Sequence, residues 1–184
     1  ELLIVIGIIS VLSVVAVLVL NPAELLRSAR DSTRLNDAQV LGKALSFYEF
    51  ASVSVGADWD GPNYPSGIGT GTDSCKGDAN PRIFVSVPSD NGEATSTPPL
   101  GWTYVRVPGS VLRQVNGQGW LPVDFTNTDD PSLRPLNILP IDPTNTFASG
   151  LYYTYICGSY EINLRLESEK YKSMMLDDKG DDDL

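Results

Sequence analysis

The chain contains no histidine. That removes the side chain that most often serves as a general base or a metal ligand near neutral pH. No Ser-His nucleophile can therefore be built. Cysteine is scarce, with only Cys75 and Cys157, and no CxxC pair occurs. The GxSxG elbow and the phosphate-binding glycine loop are also missing. Basic residues are few, 13 against 23 acidic ones, which leaves a net charge of −10 and a pI near 4.3. Such a balance argues against nucleic acid as a partner for the chain as a whole. Acids are plentiful, Asp58 and Asp60 among them, but nothing sets two carboxylates about a substrate as glycoside hydrolysis requires. An enzyme is not expected.

The most distinctive stretch is the first. Glu1 is followed by LLIVIGIISVLSVVAVLVL, a run without charge, Pro, Asn or Gln, relieved only by Gly7, Ser10 and Ser13. As a helix it is about 28 Å long, close to the hydrocarbon thickness of a bilayer. A helix apolar all round needs lipid or copies of itself for cover. The acid at its head costs several kcal/mol, on the order of 3, if left unpaired in hydrocarbon, so it calls for a cationic partner. A signal peptide would want a basic flank and a small-residue cleavage site after the run, and Leu20-Asn21-Pro22 offers no such site.

Proline within a helix removes a hydrogen bond and clashes with the preceding turn. The helix must therefore kink or restart near Asn21-Pro22, where Asn21 suits a cap and Pro22 a first position. From there to about Val53 the pattern is amphipathic. Leu26, Ala29, Thr33, Asp37, Val40, Ala44 and Tyr48 recur at helical spacing, as do Leu41, Leu45 and Tyr48. The whole helix, kink included, is expected to run about 80 Å. Its charged first half, Arg27, Arg30, Asp31, Arg34 and Asp37, reads as a solvated face with local pairs such as Asp31–Arg34. Residues 54–82 are a Gly-, Pro-, Asp- and Ser-rich loop in which Trp59 and Tyr64 are candidate pins.

Strand signals follow at Arg82–Val87 and Trp102–Val107, two runs expected to pair antiparallel. Trp120–Phe125 is expected at an edge, because Pro122 forbids a central place. Leu151–Cys157 and Tyr160–Glu167 flank Gly158-Ser159 and read as a hairpin with a type II′ turn. Tyr160, Ile162, Leu164 and Leu166 share one strand face, which implies a sheet with one wet side and one side packed on Leu41, Leu45 and Tyr48. Helix followed by antiparallel sheet makes the fold class α+β. The tail gathers Asp177, Asp178, Asp181, Asp182 and Asp183 around Gly180. It reads as a solvated acidic tail, as a calcium site, or as a partner for Arg27, Arg30 and Arg34 of a neighbouring copy.

ELLIVIGIISVLSVV is similar to the processed N-terminal segment of type IV pilins and of the pseudopilins of type II secretion. In that family a prepilin peptidase cuts four places upstream of a glutamate, and the resemblance makes Glu1 that residue. The tetrapeptide and leader that precede it in the family do not stand in this sequence. The resemblance implies a pilin-like architecture, with a long kinked N-terminal helix as an apolar spine packed on a small antiparallel sheet. It divides the chain into a transmembrane or filament-core helix half (1–21), an amphipathic half packed on the head (22–54), a connecting loop (55–82) and an antiparallel head with an acidic tail (83–184). It implies that Glu1 neutralises the N-terminal amine of an adjacent subunit, and that the helix breaks in the zone of Gly7, Asn21 and Pro22.

Outside the cytoplasm, Cys75 and Cys157 read as a disulfide closing a loop of roughly 80 residues, worth about 4.5 kcal/mol in the chain-entropy model; two separate buried thiols are the alternative. Leu139-Pro-Ile-Asp-Pro143 resembles a pseudopilin loop, and calcium at the tail follows the same analogy; no cofactor is required. The expected function is a structural subunit of an extracellular pilus-like filament on the cell surface. Such a subunit is drawn from the inner membrane by assembly machinery and packed with many copies of itself. A type II secretion pseudopilin and a membrane-anchored calcium- or glycan-binding domain are the alternatives.

Overall fold

The computed structural model describes residues 2–51, 82–128, 130–156 and 161–176, with backbone alone at 16–20, 131, 173 and 176. Two helices come first, α1 (Leu2–Leu20) and α2 (Pro22–Ala51). The expected single kinked spine is thus two separate helices. Their break is one residue, Asn21, at φ 40, a left-handed conformation that Asn tolerates and that ends a helix. The Asn21 carbonyl then accepts from the Glu24 and Leu25 amides at 3.0 and 3.2 Å, and this starts α2 with Pro22 in its first turn. Gly7 is helical within α1. Among the described residues no helix is long and apolar enough to cross a membrane.

Strands β1 (Arg82–Val85), β2 (Thr103–Val105), β3 (Thr154–Ile156) and β4 (Glu161–Asn163) form one sheet in the order β2-β1-β3-β4. The sheet is mixed, which corrects the antiparallel expectation. β1 pairs parallel with β2 (Arg82 opposite Thr103), and antiparallel with β3; β3 pairs antiparallel with β4 (Tyr155 opposite Ile162). The reason lies in the connection. Residues 86–102 are long enough for the crossover that parallel neighbours need, whereas a tight turn would have forced a hairpin. With a broken helix and a mixed sheet, the pilin-like architecture is not what the chain adopts. Its content of helix and sheet remains α+β.

The chain falls into two compact units, one of residues 1–33 and 166–179, the other of 34–165 and 180–184. In the larger unit the core gathers Leu41, Ala44, Leu45 and Tyr48 of α2 with Phe84 of β1 and Tyr155 of β3. The buried face of α2 is therefore the Leu41–Leu45–Tyr48 stripe. Ala29, Thr33 and Val40, of the other series, are exposed. Trp120, Leu121, Val123 and Phe125 fill the same core with no accessible surface beyond 1 %. This segment is not an edge strand. It is a core-filling loop held by the lone Asn116–Asp124 bridge and by Trp120 Nε1, which donates to the Pro140 carbonyl at 2.8 Å. Gly119 makes the turn into it possible, since a Cβ there would stand 2.1 Å from the Gln114 oxygen.

The sheet also lacks the expected wet face. Along β1, Phe84 points to the α2 core, while Ile83 and Val85 join Ile156 in a second cluster beneath Trp102, Tyr104, Phe147 and Tyr152.

Candidate functional site

Every described side chain of α1, Leu2 to Val15, is exposed. Leu2 and Leu3 keep 78 % and 79 % of their surface, and Val11 keeps 64 %. These residues form helix because Leu, Ile, Val and Ala carry no polar group to compete with the backbone. The two hydroxyls are silenced locally: Ser10 Oγ donates to the Ile6 carbonyl at 2.7 Å and Ser13 Oγ to that of Ile9 at 2.8 Å. The rod therefore offers apolar surface on every side and no unsatisfied side-chain polar group. At Gly7 a side chain would meet nothing within 4 Å.

The charged face of α2 is not a solvated one, since Asp31 and Arg34 are both buried. In the smaller unit, the Asp31 carboxylate is fully buried. It accepts from the Glu167 amide at 3.1 Å, the Ser168 amide at 2.8 Å and Ser168 Oγ at 2.6 Å. Arg30 grips Glu167 with both ends of its fork, at 2.5 and 2.8 Å, a geometry that adds specificity as well as strength. The Glu169 amide donates to Glu24 at 2.7 Å. Three side chains of one helix, Glu24, Arg30 and Asp31, thus clasp residues 167–169. Arg27 is half exposed and lies 3.8 Å from Glu24.

In the larger unit Arg34 is wholly buried against Asp142, with bonds of 2.5 and 3.0 Å from Nε and Nη2. Asp142 also accepts from the Thr144 and Asn145 amides at 2.7 and 3.2 Å. The Leu-Pro-x-Asp-Pro run thus has an internal task, in which Leu139 is buried and Asp142 anchors an arginine of α2. One turn on, the Tyr153 hydroxyl donates to Asp37 at 2.9 Å. Burial pushes the Asp37 carboxyl above its usual 3.8, against the pull of that hydrogen bond. The Tyr153 phenol is likewise raised, first by burial and then by Asp37.

The buried ion pair and the Asp31 clasp were not read from the sequence as buried groups. A signal for Arg34 was nevertheless present. It stands seven residues, two helical turns, before Leu41, and so falls on the stripe that faces the core. Glu1, Cys75, Cys157, Asp177, Asp178, Asp181, Asp182, Asp183, Trp59, Tyr64, Asp58 and Asp60 all lie outside the described residues, as does the Gly158-Ser159 turn. Among the described residues no cluster of His, Cys, Asp or Glu is set to hold a metal ion. No family model, curated protein or solved structure matches the chain.

Proposed function

We propose that the chain is a structural subunit of a type IV pilus-like helical filament, of the pilin and pseudopilin kind that its first segment resembles. The observation that carries this reading is the exposure of α1, a helix apolar on all sides with its described apolar side chains facing solvent. Large apolar surface left open on a soluble chain marks a surface meant for a partner. A helix without a polar face cannot be satisfied by one neighbour, because a single contact covers only one side. Many copies around a common axis cover it completely, and a head-to-tail contact that does not close gives a filament. Each square ångström so covered contributes about 25 cal/mol. Glu1 answers the amine of an adjacent copy and fixes axial register. Before assembly the inner membrane holds the apolar run, and the prepilin peptidase and assembly machinery act on it there. The chain performs no catalysis.

Full-length protein carrying Val11→Asp tests the reading. An unpaired carboxylate inside a helix bundle costs several kcal/mol, roughly 3 or more, so filaments counted by electron microscopy should fall below detection while the heads stay folded. A wild-type chain that stays dispersed at every concentration tried, or a Val11→Asp chain that assembles normally, would refute it.

A further inference from the structure

Asparagine followed by glycine is a self-reactive pair. Without a Cβ on the second residue, its amide nitrogen can reach the asparagine side-chain carbon, and the two close to a five-membered imide. The chain carries two such pairs, Asn91-Gly92 and Asn116-Gly117, in different surroundings. Asn116 stands in the lone bridge to Asp124, and Gly117 is buried. The Asn116 Oδ1 takes one long bond, 3.3 Å, from the Gln118 amide. Ring closure there has to disturb the bridge. Asn91 and Gly92 lie in an exposed bend outside any ladder, with Gly92 at φ 78.

The Asn91 carboxamide is held from both ends. Its Oδ1 accepts from the Glu93 amide at 3.0 Å and from Arg106 Nη2 at 2.8 Å. The first bond folds the carboxamide back over the Gly92 peptide. The second sets a full positive charge on the carbonyl oxygen. Arg106 is itself pinned: it donates to the carbonyls of Val87, Pro88 and Glu93 and to Thr95 Oγ1, and it stacks 5.0 Å over the Phe147 ring. Glu93 Oε2 accepts from Asn91 Nδ2 at 2.9 Å and from the Phe147 amide at 3.2 Å, which orients the amide group. Two donors, one of them cationic, are thus fixed on one carbonyl oxygen in advance. Such an arrangement stabilises the oxyanion that forms when a nucleophile adds to the carbonyl carbon.

We propose that Asn91 is a site of self-modification, activated by Arg106 and the Glu93 amide. The Gly92 nitrogen attacks Asn91 Cγ, and negative charge gathers on Oδ1 between the two donors. The Cγ–Nδ2 bond then breaks, and ammonia leaves with the proton that the Gly92 nitrogen gave up. Water opens the imide at one of its two carbonyls, giving aspartate or isoaspartate. No electron is transferred and no co-reactant besides water enters. Both products exchange a neutral carboxamide for a carboxylate near Arg106 and take the Nδ2 donor away from Glu93. Isoaspartate also lengthens the backbone of the 86–102 crossover by one carbon. The proposal does not rest on filament assembly, because the reaction takes place within one copy.

The test ages the full chain in mildly alkaline buffer, folded and in denaturing urea. Peptide mapping by mass spectrometry follows the gain of aspartate and isoaspartate at Asn91 and Asn116. Asn91 should react roughly tenfold or more faster in the folded chain than in urea, a modest share of what fixed oxyanion donors supply in enclosed sites. Asn116, the internal reference, should react more slowly folded than in urea. Arg106→Gln, with its fold checked by circular dichroism, should bring the Asn91 rate down to the urea value. A cluster that merely restrains Asn91 gives the opposite signs: folding slows the reaction and Arg106→Gln speeds it. Either of those results overturns the proposal, as does an Asn91 rate that is the same folded and unfolded. The wild-type comparison decides even where the variant does not fold.

Discussion

Arg34 and Asp142 show how two charges come to lie inside a small domain. Desolvating each costs several kcal/mol, roughly offset by their attraction only if the geometry is good and the remaining lone pairs are used. Both conditions hold, with a two-pronged contact and two backbone amides on the carboxylate. The two residues are not equivalent, however. Replacing Arg34 by Met leaves Asp142 with its two amide donors and puts an apolar chain in the cavity. Replacing Asp142 by Ala takes the carboxylate away from a buried guanidinium and orphans both amides. Asp142→Ala should therefore cost about 3–5 kcal/mol, and Arg34→Met clearly less. Urea denaturation of the two variants checks the order, and equal losses would mean that the amide contacts contribute nothing.

At the scale of elements, α2 works as a rack of side chains spaced to clasp distant loops. Glu24, Arg30 and Asp31 hold residues 167–169, and Asp31 makes the buried contact. Without its carboxylate the amides of Glu167 and Ser168 and the Ser168 hydroxyl lose their acceptor, a loss of about 1–3 kcal/mol for such buried donors. Asp31→Ala should therefore speed hydrogen exchange at Glu167 and Ser168 by roughly tenfold or more, as local opening becomes easier. Protection at Leu41 and Leu45 in the core should be unaffected. Unchanged exchange at Ser168 would show that Arg30 and Glu24 suffice.

The same rack explains which parts of the fold could be read in the sequence. The stripe of Leu41, Leu45 and Tyr48 is local, set by helical period alone, and β1, β3 and β4 fall within runs of β-branched and aromatic residues. The burial of Asp31 depends on Ser168, 137 residues away, and that of Arg34 on Asp142, 108 away. No window of sequence contains both partners, so a solvated face was the natural expectation. The parallel pairing of β1 with β2 was hidden for a similar reason, because alternation along a strand does not reveal its neighbour's direction. Trp120–Phe125 looked like an edge because Pro122 removes a ladder donor. The same lack of a donor also suits a buried loop, where that donor would have needed a partner. As for the candidate site, the apolar surface of α1 is legible residue by residue, whereas the clasp on residues 167–169 joins partners far apart in the sequence and is not.

In the proposed assembly two forces would compete. Each chain carries a net charge of −10, so packed heads would repel, while α1 against α1 would attract without regard to charge. A rival source of cohesion is the acidic tail of one copy on the basic stretch of another. That stretch is largely committed within the chain: Arg34 is buried on Asp142, Arg30 is held by Glu167, and only Arg27 keeps half its side-chain surface open. The two sources respond oppositely to salt. At about 0.1 M the Debye length is about 10 Å, and at 1 M about 3 Å. Screening therefore weakens repulsion between heads and would equally weaken any tail-to-arginine pairing, while apolar contact persists. If α1 provides the cohesion, the concentration needed for assembly, followed by light scattering, should fall as sodium chloride rises across that range. A rise instead would transfer the cohesion to ion pairs and leave the apolar rod with some other partner.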